Sequence, residues 1–154
     1  MAKVKPIPDG YHSITPYLII KGAAKAIDYY KKAFGATEIM RMAGPDGTVG
    51  HAELKIGDSI FMMGDEMPEM GYRAPQGSAP VGLMLYVDDV DRVFKQAIAA
   101  GGRVDKEVQD QFYGDRSGTF YDPFGHMWTV ATHKEDVSPE EMKKRMAKYM
   151  AGQK

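Results

Sequence analysis

Residues 112–133 read FYGDRSGTFYDPFGHMWTVATH, and this stretch decides the fold. Thr119, Phe120 and Tyr121 run into Asp122-Pro123-Phe124-Gly125, and residues 126–132 run out again. Aromatic and β-branched residues flanking a D-P-x-G cluster predict strand, turn and strand. Pro123 enters the turn with φ already fixed, and Gly125 can take a positive φ because it has no Cβ to clash. Strand alternation places Trp128 and Val130 on one face and Met127, Thr129 and Ala131 on the other.

Upstream of the hairpin, VGLMLYV at 81–87 predicts a strand. Asp89 suits a helix N-cap, and Val90, Val93, Phe94, Ala97 and Ile98 form a helical stripe that stops at Gly101-Gly102. A further strand covers 103–108. The first half repeats this plan. ITPYLII at 14–20 predicts a strand, with Pro16 at an edge or near the start. Ala23, Ala26, Ile27, Tyr30 and Phe34 recur at helical spacing between Gly22 and Gly35. Three strands follow at 38–42, 49–56 and 59–63, separated by Gly44-Pro45-Asp46-Gly47 and Gly57-Asp58. Ile20 and Val87 are 67 positions apart, as are Gly35 and Gly102, while Gly57 and Gly125 are 68 apart. Self-similarity at this period means one βαβββ unit used twice.

The predicted organisation is therefore a lead-in at 1–12, a first unit at 13–65, a linker or flap at 66–80, a second unit at 81–134 and a C-terminal segment at 135–154. The flap, rich in proline, glycine and methionine, has no periodicity. In the last segment Ser138-Pro139-Glu140-Glu141 is a capping box with proline at the first helical position. Met142, Met146, Tyr149 and Met150 form an apolar stripe, which is expected to cover core or a neighbouring subunit.

Bulk properties bound the function. The chain of 154 residues carries a net charge of −1 and 27% charged residues. It has no basic excess, so neither nucleic acid nor a membrane surface is an expected partner. The absence of cysteine excludes disulfides, thiolate nucleophiles and thiolate zinc sites, and fits a reducing, cytoplasmic location. MAKVKPIPDG lacks the apolar run of a signal peptide. Twelve methionines supply adaptable fillers for a core or an interface.

The tandem unit with its D-P-x-G hairpin resembles the vicinal oxygen chelate superfamily, which includes glyoxalase I, extradiol dioxygenases and the fosfomycin- and bleomycin-resistance proteins. TPYLIIKGAAKAIDYYKKAFGA, GDSIFMMGDE and the 112–133 hairpin are similar to its PhnB-like branch. The resemblance implies an α+β fold of paired βαβββ units. Their cupped antiparallel sheets carry helices outside, and here a C-terminal helix follows. It also implies a homodimer. In the enzymes of this superfamily a divalent metal is held by His or Glu on the first and last strands of each half. Carried over, those positions fall on Thr15, on Phe61 (or Met62 if the register slips), on Gly82 and on Thr129. None is His, Asp or Glu, so no metal site and no cofactor are expected; a divalent metal enters only if the site has been relocated. The quinone methyltransferase activity often attached to the branch is not expected either, because no nucleotide-binding glycine motif is present.

His51 and Glu53 sit two apart on one strand face, opposite Ala52, Leu54 and Ile56. They read as an acid–base or ligand pair, or more plainly as a solvated strand face with a cross-strand ion pair. Tyr17, Phe61, Met84, Tyr86, Tyr121 and Thr129 fall by alternation on the presumed inner face, a lining that suits a small apolar or aromatic molecule or a filled core. Arg116, in a loop beside Asp115, is an anion clamp or an ion pair that orders the loop. His12, His126 and His133 read as surface or turn residues. Three functions remain open: a metal-independent small-molecule binding protein, a superfamily enzyme (lyase, isomerase or dioxygenase) with a site relocated to His51 and Glu53, and a structural dimerisation module.

Overall fold

The computed structural model describes residues 4–152; residues 1–3 of the lead-in and 153–154 of the terminal segment lie outside the described residues. In chain order the elements are β1 (Tyr17–Ile20), α1 (Ala23–Phe34), β2 (Thr37–Ala43), β3 (Val49–Ile56), β4 (Ser59–Asp65), β5 (Gly82–Tyr86), α2 (Val90–Ala99), β6 (Arg103–Asp110), β7 (Asp115–Tyr121), β8 (Met127–His133) and α3 (Pro139–Ala151). They form two compact units. The first runs to Gly77 and includes Pro123–Gly125; the second comprises Ser78–Asp122 and the chain from His126 onward.

Each unit holds one four-stranded sheet, ordered β1-β4-β3-β2 in the first and β5-β8-β7-β6 in the second. The sheets are mixed, where purely antiparallel ones were expected. β1 runs parallel to β4 and β5 parallel to β8, while the remaining pairs are antiparallel. The reason lies in the crossover. α1 carries the chain from β1 to the far edge, so β4 returns beside β1 in the same direction, as parallel pairing requires. The first strand is shorter than the 14–20 predicted. Pro16 has no N–H to give, although its carbonyl accepts from the Met62 amide at 2.8 Å.

One face of each sheet packs on its helix. In the first unit Leu18, Ile20, Ala52, Leu54, Phe61 and Met63 are buried there with Ala26, Ile27 and Tyr30 of α1. The Phe61 ring meets Tyr30 edge-on at 5.5 Å. In the second unit Phe120 and Trp128 are paired across β7 and β8, and Phe120 meets Phe94 of α2 at 5.8 Å. Burial of two or three such rings contributes on the order of 2 kcal/mol each. α1 begins without a cap from its own N-cap residue Gly22. Asp65 supplies it from β4: one carboxylate oxygen accepts from the Gly22 and Ala23 amides at 2.8 and 2.9 Å, the other from Val49 at 2.8 Å. α2 is capped as predicted, Asp89 accepting from the Arg92 amide.

The turn after β7 is tied by Asp122, whose carboxylate accepts from the His126 amide and from the Trp128 indole, both at 3.0 Å. His126 is buried rather than at the surface. The 66–80 segment is locally folded. Pro68–Met70 makes a 3-10 turn, Met67 bridges Tyr72, and Glu66 accepts from the Ala74 amide at 3.2 Å. α3 starts on Ser138, whose hydroxyl accepts from Glu141. Its methionine stripe covers no core among the described residues, and no α3 residue is buried. Its contacts to the second unit run instead through Tyr149 on Phe112, with centroids 4.9 Å apart, and through Arg145, which is paired with Glu135 and with Glu141 of its own helix. No described helix is long and apolar enough to cross a membrane.

Candidate functional site

The sheet face turned away from α1 carries the chemistry of the first unit. On β3, alternation sends Ala52 and Leu54 to the helix and His51 and Glu53 to the other side. Glu53 is 8% exposed. His51 Nε2 lies 3.0 Å from Glu53 Oε1, and His51 Nδ1 lies 3.2 Å from the Tyr17 hydroxyl of β1. The other Glu53 oxygen accepts a hydrogen bond from the Tyr11 hydroxyl of the lead-in. Tyr17, His51, Glu53 and Tyr11 thus form one chain of hydrogen bonds. Beside it opens a cleft of about 370 Å³. It is lined by Pro6, Ile7, Pro8, Tyr11 and His12 of the lead-in, by Ser13 and Thr15 just after it, and by Glu53 and Met62 of the sheet.

The electrostatics follow from this geometry. The Tyr11 hydroxyl and then His51 stabilise the Glu53 carboxylate, holding it below the usual range against the opposing effect of burial. The same contact pushes the Tyr11 phenol up, because its ionised form would face a carboxylate. An ionised, shielded acceptor in a cleft of mixed polar and apolar lining can hold a ligand's hydrogen-bond donor or cation, or take a proton from a bound molecule.

The second unit has its own network on the corresponding face. Asp115, 6% exposed, accepts from the Tyr86 hydroxyl at 2.9 Å and faces His133 Nδ1 at 2.7 Å; His133 Nε2 meets Asp136 at 2.9 Å. Asp115 and then Asp136 raise the His133 pKa above its ordinary value. Met84, Tyr121 and Thr129 share this face with Tyr86, and Thr129 is bonded to Thr119 at 3.0 Å. A second cleft of about 500 Å³ lies at α3, against Phe112, Arg145, Lys148 and Tyr149.

Two expected site residues stand elsewhere. Phe61 is not on the inner face: it pairs with Leu54, packs on Tyr30 and belongs to the core. Met62 takes its place, paired with Tyr17. The Tyr17–Met62 pair recurs as Met84–Thr129, 67 positions later on both strands (84 − 17 and 129 − 62). Counting from the turn glycines at 68 slipped the register by one, which in a strand exchanges the two faces. Arg116 points to the helix side. Its guanidinium is paired with Asp91 at the start of α2 and with Asp110, so its fork is already filled. Tyr11 was missed as a site residue. It lies 42 positions before Glu53 in a proline-rich segment with no periodicity to project it onto the sheet. The Asp115–His133 pair had a signal: the two are directly opposite when the hairpin is paired outward from its turn.

The donor set does not match the divalent ion of the resembling enzymes. In the first unit Thr15 and Met62 offer a hydroxyl, already donated to the His12 carbonyl at 3.1 Å, and a thioether. In the second, Gly82 offers no side chain and Thr129 a hydroxyl engaged with Thr119. Hard divalent ions call for carboxylate or imidazole donors, so these residues do not fit one. Among the described residues no group of three or more His, Cys, Asp or Glu side chains is gathered to hold a metal.

Relatives agree with the architecture. The profile of the Glyoxalase/Bleomycin resistance protein/Dioxygenase superfamily matches residues 11–130. The protein named "Uncharacterized protein Rv0887c" of Mycobacterium tuberculosis is 39% identical over 140 residues, which cover 88% of this chain and 82% of that one. Protein PA1353 of Pseudomonas aeruginosa superposes with a TM-score of 0.66 at 27% identity, over 80% of this chain and 99% of that one. The PhnB protein of Bacillus cereus has a TM-score of 0.63 at 20% identity, over 79% and 99%, a likeness of fold alone. The chain belongs to the glyoxalase/bleomycin resistance protein/dioxygenase superfamily.

Proposed function

We propose that the chain is a small-molecule binding protein of the bleomycin-resistance type, in the PhnB-like branch, that works without the superfamily's metal. The observation that carries this reading is the first-unit cleft. A buried, ionised Glu53 stands there beside Met62, which takes one of the strand positions where the enzymes keep a chelating side chain. A concavity that combines Pro6, Ile7, Pro8 and Met62 with a buried carboxylate anchor suits a small molecule with an apolar or aromatic body. A thermal-shift screen of aromatic compounds, run with and without EDTA, tests it. Hits should raise the melting temperature equally in both buffers and be lost in Met62→Lys. Hits that vanish with the chelator, or that ignore Met62→Lys, would overturn it.

The hydrogen-bond chain favours a second reading, catalysis at His51 and Glu53. Imidazole between a phenol and a carboxylate offers a proton path, with Glu53 as the base that receives a substrate proton. A turnover assay on any screening hit separates the two readings: product formation lost in Glu53→Gln supports an enzyme, unchanged ligand supports binding alone. The homodimer belongs to the same proposal. Val81, Met84 and Tyr86 of β5 and its approach are exposed apolar residues at a sheet edge, and sedimentation equilibrium would read the assembly state.

A further inference from the structure

The lead-in is more than one wall of the cleft. Residues 4–15, the lead-in and its run into β1, supply seven of the nine lining residues, yet most of the side chains between Val4 and Ile14 are exposed. Its own bonds are local: Tyr11 to the Pro8 carbonyl, Lys5 to Asp9 and Thr15 to the His12 carbonyl. Among the described residues, its side-chain hydrogen bond to the sheet is Tyr11 to Glu53. This bond occupies the group that the proposed function needs. Glu53 has two carboxylate oxygens; His51 faces one and Tyr11 the other. Each oxygen could accept a second bond, but Glu53 is buried and Tyr11 stands beside it in the cleft on the oxygen that His51 leaves open, so a ligand donor competes with Tyr11 there.

Resting on the binding reading above, we infer that residues 4–15 form a displaceable strap. Its Tyr11 phenol occupies Glu53 in place of a ligand's hydroxyl or ammonium group. The ligand class follows: an apolar body bearing one strong hydrogen-bond donor, seated against Met62 and anchored on Glu53. Phenol and carboxylate are an acid–acceptor match, so another O–H or N⁺–H competes on equal chemical terms. An apolar body without a donor gains nothing from releasing the strap.

The test uses the full chain with three probes of one size: 2-naphthol, 1-naphthylmethylamine and 2-methoxynaphthalene. Affinity is measured by NMR titration for wild type, Tyr11→Phe and Glu53→Gln. Removing the competing hydroxyl should strengthen the binding of a donor-bearing probe by about tenfold, the weight of one hydrogen bond to a charged acceptor. The methoxy compound should be unaffected by Tyr11→Phe. Glu53→Gln should abolish the preference for donors. The hydroxyl and ammonium arms then decide which donor the site takes. A Tyr11→Phe variant that binds the donor probes no better than wild type overturns the inference, as does an equal gain for the methoxy compound. Hydrogen exchange reads the strap independently of any ligand. Tyr11→Phe should speed exchange of amides in 9–15 while leaving β3 and β4 protected. Unchanged exchange in 9–15 removes the strap even if ligands bind. Failure of every probe, with exchange raised as expected, removes the binding reading and leaves the strap standing without the ligand class.

Discussion

Asp65→Ala is the sharpest test of how the first unit holds its site in place. The carboxylate accepts from three backbone amides: Gly22 and Ala23 at the start of α1, and Val49 at the start of β3, two residues before His51. A hydrogen bond to a charged group contributes about 1.5–3 kcal/mol net. Asp65 is only half-buried, and water can reach the Gly22 amide, so the low end applies. Three bonds at that end sum to roughly 4.5 kcal/mol, a large share of the total for a protein of this size. Asn in its place keeps one oxygen for the helix amides but turns an NH2 toward Val49, so it should cost about half as much. Urea unfolding followed by the Trp128 fluorescence and far-ultraviolet dichroism measures the loss, and hydrogen exchange of Ala23 and Val49 localises it. Asp58→Ala serves as a control, since Asp58 accepts a hydrogen bond from the neighbouring Ser59 hydroxyl. A loss below about 1 kcal/mol for Asp65→Ala, within the range of ordinary surface substitutions, would refute the role given to this carboxylate.

Three further outcomes follow from the geometry. Phe61→Ala should cost about 3–5 kcal/mol, as loss of a buried ring does, whereas Met62→Ala should cost roughly 1 kcal/mol and weaken ligand binding; the reverse order in urea titrations would mean that the faces of β4 are misassigned. A Cβ added at Gly64 would lie 2.8 Å from the Gly50 carbonyl oxygen and 3.1 Å from the Tyr17 hydroxyl, so Gly64→Ala should lose about 1–3 kcal/mol and detach Tyr17 from His51, seen as a shifted His51 ring resonance. His133 should titrate above the ordinary histidine value near 6.5, in NMR, because its charged form is bonded to Asp115 and Asp136. A raised folded-state pKa gives stability that is full below about pH 6.5 and is lost as pH rises through the folded value. Asp115→Asn should lower that pKa more than Asp136→Asn; a normal value in the wild type contradicts the pairing.

The repeat was legible because its signals are periodic. Helical stripes at Ala26, Ile27 and Tyr30 and at Val90, Val93 and Phe94, with Gly35 and Gly101-Gly102 as stops, marked α1 and α2 to within a residue or two. Alternation correctly sent His51 and Glu53 one way and Leu54 the other. What failed was counting across turns. The hairpin after β3 turns in two residues and the one after β7 in five, so the turn glycine is a poor origin for strand parity. Phe61 was misplaced for that reason alone. Arg116 was read beside Asp115, its chain neighbour, but adjacent strand residues point to opposite faces, and its partners came from α2 and β6. Tyr11 was invisible because a lead-in without periodicity carries no information about which strand it will lie against. The parallel β1–β4 and β5–β8 pairings were likewise beyond local pattern, since they depend on where the crossover helix returns the chain.

The central claim is a metal-independent ligand site on the open face of the first unit, and the methyl resonance of Met62 reports on it directly. Protein labelled with 13C-methyl methionine would be titrated with 2-naphthol in excess EDTA, with Met62 assigned by Met62→Leu. The account predicts a saturable shift of the Met62 methyl that persists in the chelator and is weakened in Glu53→Gln. A Met62 resonance that stays fixed while other methionines shift, or that moves only after a divalent ion is restored, would contradict it.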